Sequence, residues 1–264
     1  MTDFLSQHLP SQGVRFVAVK KFEQSKMKHI SFSNFASMEA HIGQIAENYF
    51  AVYHACASFE RESYIGAGGK KKQRTQENAI YARSFWLDIE CTPEKAASGK
   101  GYESLESGLA ALRQFCAVTG LSWPTVVNSG GGVHCYWPLM QDVPKADWEH
   151  VAEKFKKLTQ VARSKLITDS SRTSDISSLL RPPGTWNRKY DPPRRVELLE
   201  VGSPNEFEEF RAILDGALSA AQSASPAQPT NKQSKINIGD TGQYVLPEKV
   251  AEGGRNPAIL SYVG

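Results

Sequence analysis

The sequence lacks the features that mark membrane, secreted and zinc-binding proteins. No stretch approaches about 18 consecutive apolar residues, so no membrane span is expected. The N-terminus has no basic segment followed by an apolar core, which argues against a secretory signal. The four cysteines form no C-x-x-C pair, so we expect reduced thiols in a cytoplasmic protein rather than a structural zinc site.

Neither sign of charge is in large excess. The 264 residues carry a net charge of +3, which by itself does not indicate nucleic acid as a partner. Basic residues are concentrated in a glycine-rich loop (Lys70, Lys71, Lys72 and Arg74) and in a segment from Arg181 to Arg195. Charge runs are usually solvated surface, but these two lie on either side of candidate metal ligands and so indicate a polyphosphate or DNA backbone nearby.

Two acidic residues end an apolar segment that is predicted to be a buried strand. Asp88 and Glu90 stand in Phe85-Trp86-Leu87-Asp88-Ile89-Glu90 and point to the same face, because side chains alternate along a strand. Paired carboxylates repel each other and resist burial, and a divalent cation removes both penalties. A solvated strand end explains the pair as well. Such a carboxylate pair is, however, typical of two-metal nucleotidyl transfer.

Two later segments carry groups suited to a nucleotide. Ser129-Gly130-Gly131-Gly132 joins two predicted strands in a turn that allows a ligand close to the backbone, and His134 follows it. Leu180-Arg181-Pro182-Pro183-Gly184-Thr185-Trp186-Asn187-Arg188-Lys189 forms a rigid turn. It presents four groups suited to a triphosphate: Arg181, Thr185, Asn187 and Lys189. Each segment alone is equally compatible with a structural turn.

Taken in order, these motifs resemble the archaeo-eukaryotic primase superfamily, and in particular the primase-polymerases of phages and mobile replicons. The resemblance covers roughly residues 70–200. It rests on an acidic pair on a strand, a small-x-His motif on a later strand, a third acid, and an L-R-x-P-G-T-x-N-x-K signature. Each motif alone is weak, whereas their combination is specific.

The resemblance implies a fold and a set of roles. The fold is α/β (α+β), a modified RNA-recognition-motif-like sheet with an N-terminal αβ unit. Asp88, Glu90 and a third acid hold two Mg²⁺ or Mn²⁺ ions, and His134 contacts the nucleotide. For the third acid Asp169 is preferred, because it follows a short predicted strand and opens the acid-rich run before the signature; Asp175 is the rival. The remaining nucleotide-binding groups are Ser129, Gly131, Arg181, Thr185, Asn187 and Lys189, and DNA-binding is assigned to Lys70, Lys71, Lys72 and Arg74.

The composition changes near Leu218. Residues 1–217 are predicted to be the catalytic domain, 218–243 a Ser-, Ala-, Gln- and Pro-rich flexible linker, and 244–264 the start of a truncated C-terminal helical primase domain. The resemblance also implies a helicase region in the full-length chain.

The predicted activity is primer synthesis and extension on single-stranded DNA from NTPs or dNTPs, in a bacterial host cell. The alternative is a catalytically weak DNA-binding replication protein of the same fold. A rolling-circle nickase is disfavoured, because the six histidines include no His-x-His pair.

Overall fold

Short strands and helices alternate along residues 4–223, the part of the chain that a computed structural model describes. In chain order the elements are α1 (Phe4–His8), β1 (Arg15–Lys20), β2 (Lys28–Phe32), α2 (Phe35–Ile45), β3 (Ala51–Ala55), β4 (Ala57–Phe59), β5 (Tyr64–Ile65), β6 (Lys71–Lys72), β7 (Ala79–Glu90), α3 (Pro93–Ala97), α4 (Leu105–Thr119), β8 (Thr125–Asn128), β9 (Gly132–Pro144), α5 (Lys145–Gln160), α6 (Ser170–Thr173), β10 (Leu179–Leu180), β11 (Trp186–Asn187), β12 (Arg194–Arg195), β13 (Glu197–Glu200) and α7 (Phe207–Ser223). None of these helices is long and apolar enough to cross a bilayer.

The larger of two main sheets has the strand order β13-β8-β9-β7-β4, with every pair antiparallel. Its long central strands β7 and β9 pair from Tyr81 opposite Pro144 to Glu90 opposite Gly132, with a register shift between Ala82 and Ser84. Apolar side chains of β7 are buried against α5 and α7, and the Phe85 ring stacks on Phe210 at 4.6 Å between centroids. Because these aromatic side chains pack on one face of β7, the Asp88 and Glu90 side chains point to the opposite face.

The smaller sheet has the order β10-β3-β1-β2 and is built mainly from the N-terminal segment. Its fourth strand comes from far along the chain: Leu179 pairs with Ala55 and Leu180 with His54. This pairing holds the start of the signature segment against the N-terminal unit. The predicted mixed αβ fold with an N-terminal αβ unit is confirmed by these antiparallel sheets.

Two local predictions fail. Leu166–Thr168 forms no strand; instead the Asp169 N–H donates to the Asp88 carbonyl oxygen at 2.8 Å. Helix α7 continues to Ser223, past the predicted start of the linker at residue 218, because its apolar positions keep a helical period beyond the change in composition. The rest of the predicted linker and the predicted segment 244–264 lie outside the described residues.

Candidate active site

One small cleft collects residues from both main sheets. Its walls include Asp88 and Glu90 of β7, the β8–β9 turn, and the signature segment. The predicted residues that line it are Asp88, Glu90, Ser129, Gly131, His134, Arg181, Asn187 and Lys189. Three stretches that are far apart in sequence therefore meet in one place.

The register of β7 and β9 sets the acidic side of the cleft. Asp88 lies directly opposite His134, and His134 Nε2 is 3.8 Å from Asp88 Oδ1. Two residues further along β7, Glu90 lies opposite Gly132, where a Cβ atom would overlap the Ile89 carbonyl oxygen. The strands approach so closely here that only glycine fits, which explains the third glycine of the turn.

Asp88 is nearly enclosed, with 14% of its side chain exposed. Burial raises the pKa of its carboxyl to about 6, and the nearby Arg172 guanidinium acts in the opposite direction. Arg172 Nε lies 3.2 Å from Asp88 Oδ2. The ionised form of Asp88 therefore depends on positive charge close by.

Asp169 lies beside Asp88, at the N-terminal cap of the short helix α6. Its Oδ1 accepts from the Ser171 N–H at 3.1 Å and from the Ser171 hydroxyl at 2.5 Å, while Oδ2 is 3.1 Å from Arg172 Nε. Partial burial acts to raise the pKa of Asp169, but these hydrogen bonds and the Arg172 charge outweigh it and the pKa is lowered. One guanidinium nitrogen is thus shared by two carboxylates.

The rival acid, Asp175, is directed elsewhere. Its Oδ1 accepts from the Ser177 N–H at 2.9 Å, the Ser177 hydroxyl at 2.7 Å and Gln76 Nε2 at 3.0 Å. It lines a separate surface depression with Glu149 and Glu153. Asp175 is the cap of a turn, and of the two acids only Asp169 is placed to act with Asp88.

The donor chemistry of the cleft fits a divalent cation. Asp88 and Asp169 direct oxygens at a single positive centre, and hard oxygen ligands are what Mg²⁺ and Mn²⁺ prefer. Glu90 lines the same cleft, but its Oε1 is 3.4 Å from Lys95 Nζ. Within residues 4–223 no three acidic, histidine or cysteine side chains are grouped as a ready metal site. An ion bound here has to displace Arg172 and draw Glu90 from Lys95.

His134 and Arg181 are both buried in the wall of the cleft. Burial, reinforced by the charges of Arg181 and Arg172, lowers the pKa of His134 to about 3, so its imidazole is neutral at pH 7. Arg181 Nη2 donates to the Tyr53 hydroxyl at 2.8 Å. Within the described part of the chain, Arg181 Nε has no hydrogen-bond partner, whereas the His134 ring meets the Arg181 backbone, which acts to raise its pKa. An unpaired buried polar atom is costly, so Arg181 Nε favours a polar partner.

The predicted nucleotide-binding residues of the signature segment do not all line the cleft. Asn187 Nδ2 donates to the Ser129 carbonyl at 2.9 Å and ties the segment to the β8–β9 turn. Lys189 lines the cleft, and its pKa is lowered by partial burial and by Arg181. The buried Thr185 is not part of the cleft wall; its hydroxyl donates to the Pro182 carbonyl at 2.8 Å inside the turn. Thr185 supports the turn and is not placed to bind a nucleotide.

The lysine loop is not part of the cleft. Lys70 and Lys71 are exposed, whereas Lys72 Nζ is 3.8 Å from the Glu77 carboxylate. Arg74 is packed inside the fold, where it donates to the Ser177 carbonyl and to His29 Nε2, and burial lowers its pKa. The interpretation of Arg74 as a DNA contact is therefore disfavoured.

Sequence reasoning missed two polar residues of the cleft. Arg172 and Tyr53 both line it. Tyr53 lies on β3, where nothing in the local sequence distinguishes it from a core position. Arg172 stands three residues after Asp169, a spacing that places it on the same side of a helical turn and could have signalled an ion pair.

Comparison with known proteins gives distant structural likenesses. No family model and no curated protein matches the chain. Among solved structures, the chain is similar to the primase-polymerase AEP domain of cyanophage S-2L, at 12% identity and a TM-score of 0.49, over 80% of this chain and 94% of that one. It is also similar to the catalytic domain of the primase RepB' in complex with initiator DNA, at 13% identity and a TM-score of 0.45, over 84% and 95% of the two chains.

A third likeness is to the polymerase domain of Mycobacterium tuberculosis ligase D in complex with DNA, at 16% identity and a TM-score of 0.38, over 85% and 86% of the chains. At such identities and TM-scores, activity has to be argued from the residues of the cleft.

Proposed function

We propose that the chain is a primase-polymerase that transfers nucleotides from NTPs or dNTPs to a primer on single-stranded DNA. Its place of action is the cytoplasm of a bacterial host, in the replication of a phage or mobile element. The observation that carries the proposal is the cleft itself, which is lined by the carboxylates of Asp88 and Glu90 and by the cations Arg172, Arg181 and Lys189. That polarity suits a triphosphate bound through divalent ions.

The acidic side would hold the ions. Asp88, Asp169 and Glu90 are the residues for two Mg²⁺ or Mn²⁺ ions, because Asp88 and Glu90 line the cleft and Asp169 shares the Arg172 Nε contact with Asp88. When bound, such ions lower the pKa of an attacking hydroxyl and offset charge on the phosphates.

The opposite side would hold the substrate. Arg181 and Lys189 supply positive charge for phosphate oxygens, and Arg172 joins them once it leaves the carboxylates. The neutral His134 ring can hydrogen-bond a sugar hydroxyl or a phosphate without adding charge. Fixed donors of this kind position the triphosphate in line, which supplies much of the acceleration in phosphoryl transfer.

A primer-extension assay tests the proposal. The full chain is incubated with a primed or unprimed single-stranded template, each nucleotide type, and Mg²⁺ or Mn²⁺. Metal-dependent, template-complementary products are expected. DNA binding without any incorporation under all these conditions contradicts the proposal and favours the catalytically weak DNA-binding protein.

Lys189 provides a prediction about substrate binding. Lys189→Gln removes a cation of the cleft wall, so the apparent KM for the nucleotide is expected to rise about fivefold, with a smaller change in kcat. Lys157→Gln, on the exposed side of α5, is the matched control with the same loss of charge. Equal KM values for the two variants would remove Lys189 from the triphosphate site.

A further inference from the structure

The signature segment has a second side, away from the cleft. Asn187 and Lys189 line the cleft, whereas Trp186, just before Asn187, and Arg188, between the two, contact other partners. Within β11 this follows from strand geometry, because neighbouring side chains point to opposite faces. One short segment is therefore the wall between the cleft and a surface behind it.

Aromatic rings and cations alternate across that surface. Arg195 lies 5.0 Å from the Trp186 ring, and Arg188 lies 5.7 Å from both the Trp186 and the Phe22 rings. The Phe22 and Phe50 rings are 6.0 Å apart, and Lys20 lies 5.1 Å from the Phe50 ring. Lys21 is 6.0 Å from the Tyr49 ring. We name this surface the aromatic–cationic face; its members are Lys20, Lys21, Phe22, Tyr49, Phe50, Trp186, Arg188 and Arg195.

A single carboxylate organises one end of the face without neutralising it. Glu47 accepts from Trp186 Nε1 at 2.8 Å and lies 3.3 Å from Arg195 Nη1 and 3.6 Å from Arg188 Nη2. The face has four cations, so positive charge remains in excess over Glu47. Its central ring, Phe22, is 51% exposed. An exposed ring on a face with more cations than carboxylates suits flat, anionic material.

We propose that the aromatic–cationic face binds single-stranded DNA, with bases stacked on Phe22 and neighbouring rings and phosphates beside the lysines and arginines. Stacking on aromatic residues together with a basic track is the general mode of single-strand binding, since every base offers a ring face. The inference rests on the proposed function in that a template has to reach the adjacent cleft. It assigns the template to this face rather than to the lysine loop.

The test is binding of fluorescein-labelled (dT)20 to the full chain, followed by anisotropy at several salt concentrations. Phe22→Ala removes an exposed ring, so folding is preserved and affinity is expected to fall about fivefold or more with little change in salt slope. Phe22→Tyr keeps the ring and should bind like the wild type. Lys20→Gln should lower the slope of log K against log salt by about 0.7.

Ile65→Ala is the control, because Ile65 is 69% exposed and lies on the hairpin of the lysine loop. Loss of binding in Lys70→Gln/Lys71→Gln with unchanged affinity in Phe22→Ala overturns the inference, as does a wild-type chain that does not bind (dT)20. If DNA binding depends on Phe22 but the chain incorporates no nucleotide, the DNA-binding face is supported and the proposed nucleotidyl transfer is contradicted. If the chain incorporates nucleotides but DNA binding does not depend on Phe22, the nucleotidyl transfer is supported and the DNA-binding face is contradicted.

Discussion

Asp88→Asn is expected to reduce nucleotide incorporation by about a thousandfold or more, because it replaces the charged carboxylate proposed as a metal ligand with a neutral amide of the same shape. The position of Asp88 is fixed by the pairing of β7 with β9, where it lies opposite His134. Primer extension with Mn²⁺ and Mg²⁺ measures the loss.

The same substitution should make the ion-free protein more stable. The pKa of Asp88 is raised from 3.8 to about 6, so folding favours the protonated form, and at pH 7 the ionised carboxylate destabilises the fold. Asparagine removes that cost, which is on the order of 1–3 kcal/mol at about 1.4 kcal/mol per pKa unit. For the wild type the penalty diminishes as pH falls through about 6 towards 4.

Denaturant unfolding in EDTA at pH 7 measures the expected gain in stability, to be compared with the loss of activity in the same variant. Asp175→Asn is the matched control, since it makes the same chemical change at an acid that caps a turn outside the cleft. It should keep activity within a few-fold. An inactive Asp175→Asn beside an active Asp88→Asn would reverse the assignment of the two acids.

The local periodicity of the sequence predicted much of the fold. Alternation of apolar and acidic residues placed Asp88 and Glu90 on one face of β7, and the glycine run gave the β8–β9 hairpin. What it could not give is the pairing of β10 with β3, because Leu179-Leu180 is too short to carry a pattern and its partner is more than a hundred residues away. That pairing decides where Arg181 lies.

The sequence predicted which residues belong to the candidate site better than it predicted where their side chains point. Motif order named eight cleft residues, but it could not show that the Thr185 hydroxyl turns inward or that Arg74 is packed against Ser177. Basic residues look alike in sequence, whereas their roles depend on burial and on the acceptors they meet. The most consequential omission is Arg172, whose guanidinium stands where two carboxylates converge.

Arg172→Gln is therefore expected to tighten Mn²⁺ binding at least tenfold in the absence of nucleotide. In the wild type an arriving cation has to break two charge-assisted contacts, at 3.2 Å to Asp88 and 3.1 Å to Asp169, before it gains the same oxygens. Glutamine cannot hold the carboxylates with a full charge. Arg172→Lys keeps the charge but not the fork of donors, and should be intermediate.

The measurement is titration with Mn²⁺ followed by electron paramagnetic resonance of the free ion. It is best made at pH 8, because removing Arg172 also raises the pKa of Asp88 and proton competition would otherwise mask the gain. Arg61→Gln, which loses an exposed contact with Glu60, controls for net charge. Mn²⁺ binding no tighter in Arg172→Gln than in Arg61→Gln would mean that the guanidinium and the ion do not compete. Tighter Mn²⁺ binding combined with a raised KM for the nucleotide would mean that Arg172 pairs with the carboxylates before the ion binds and contacts the phosphates afterwards.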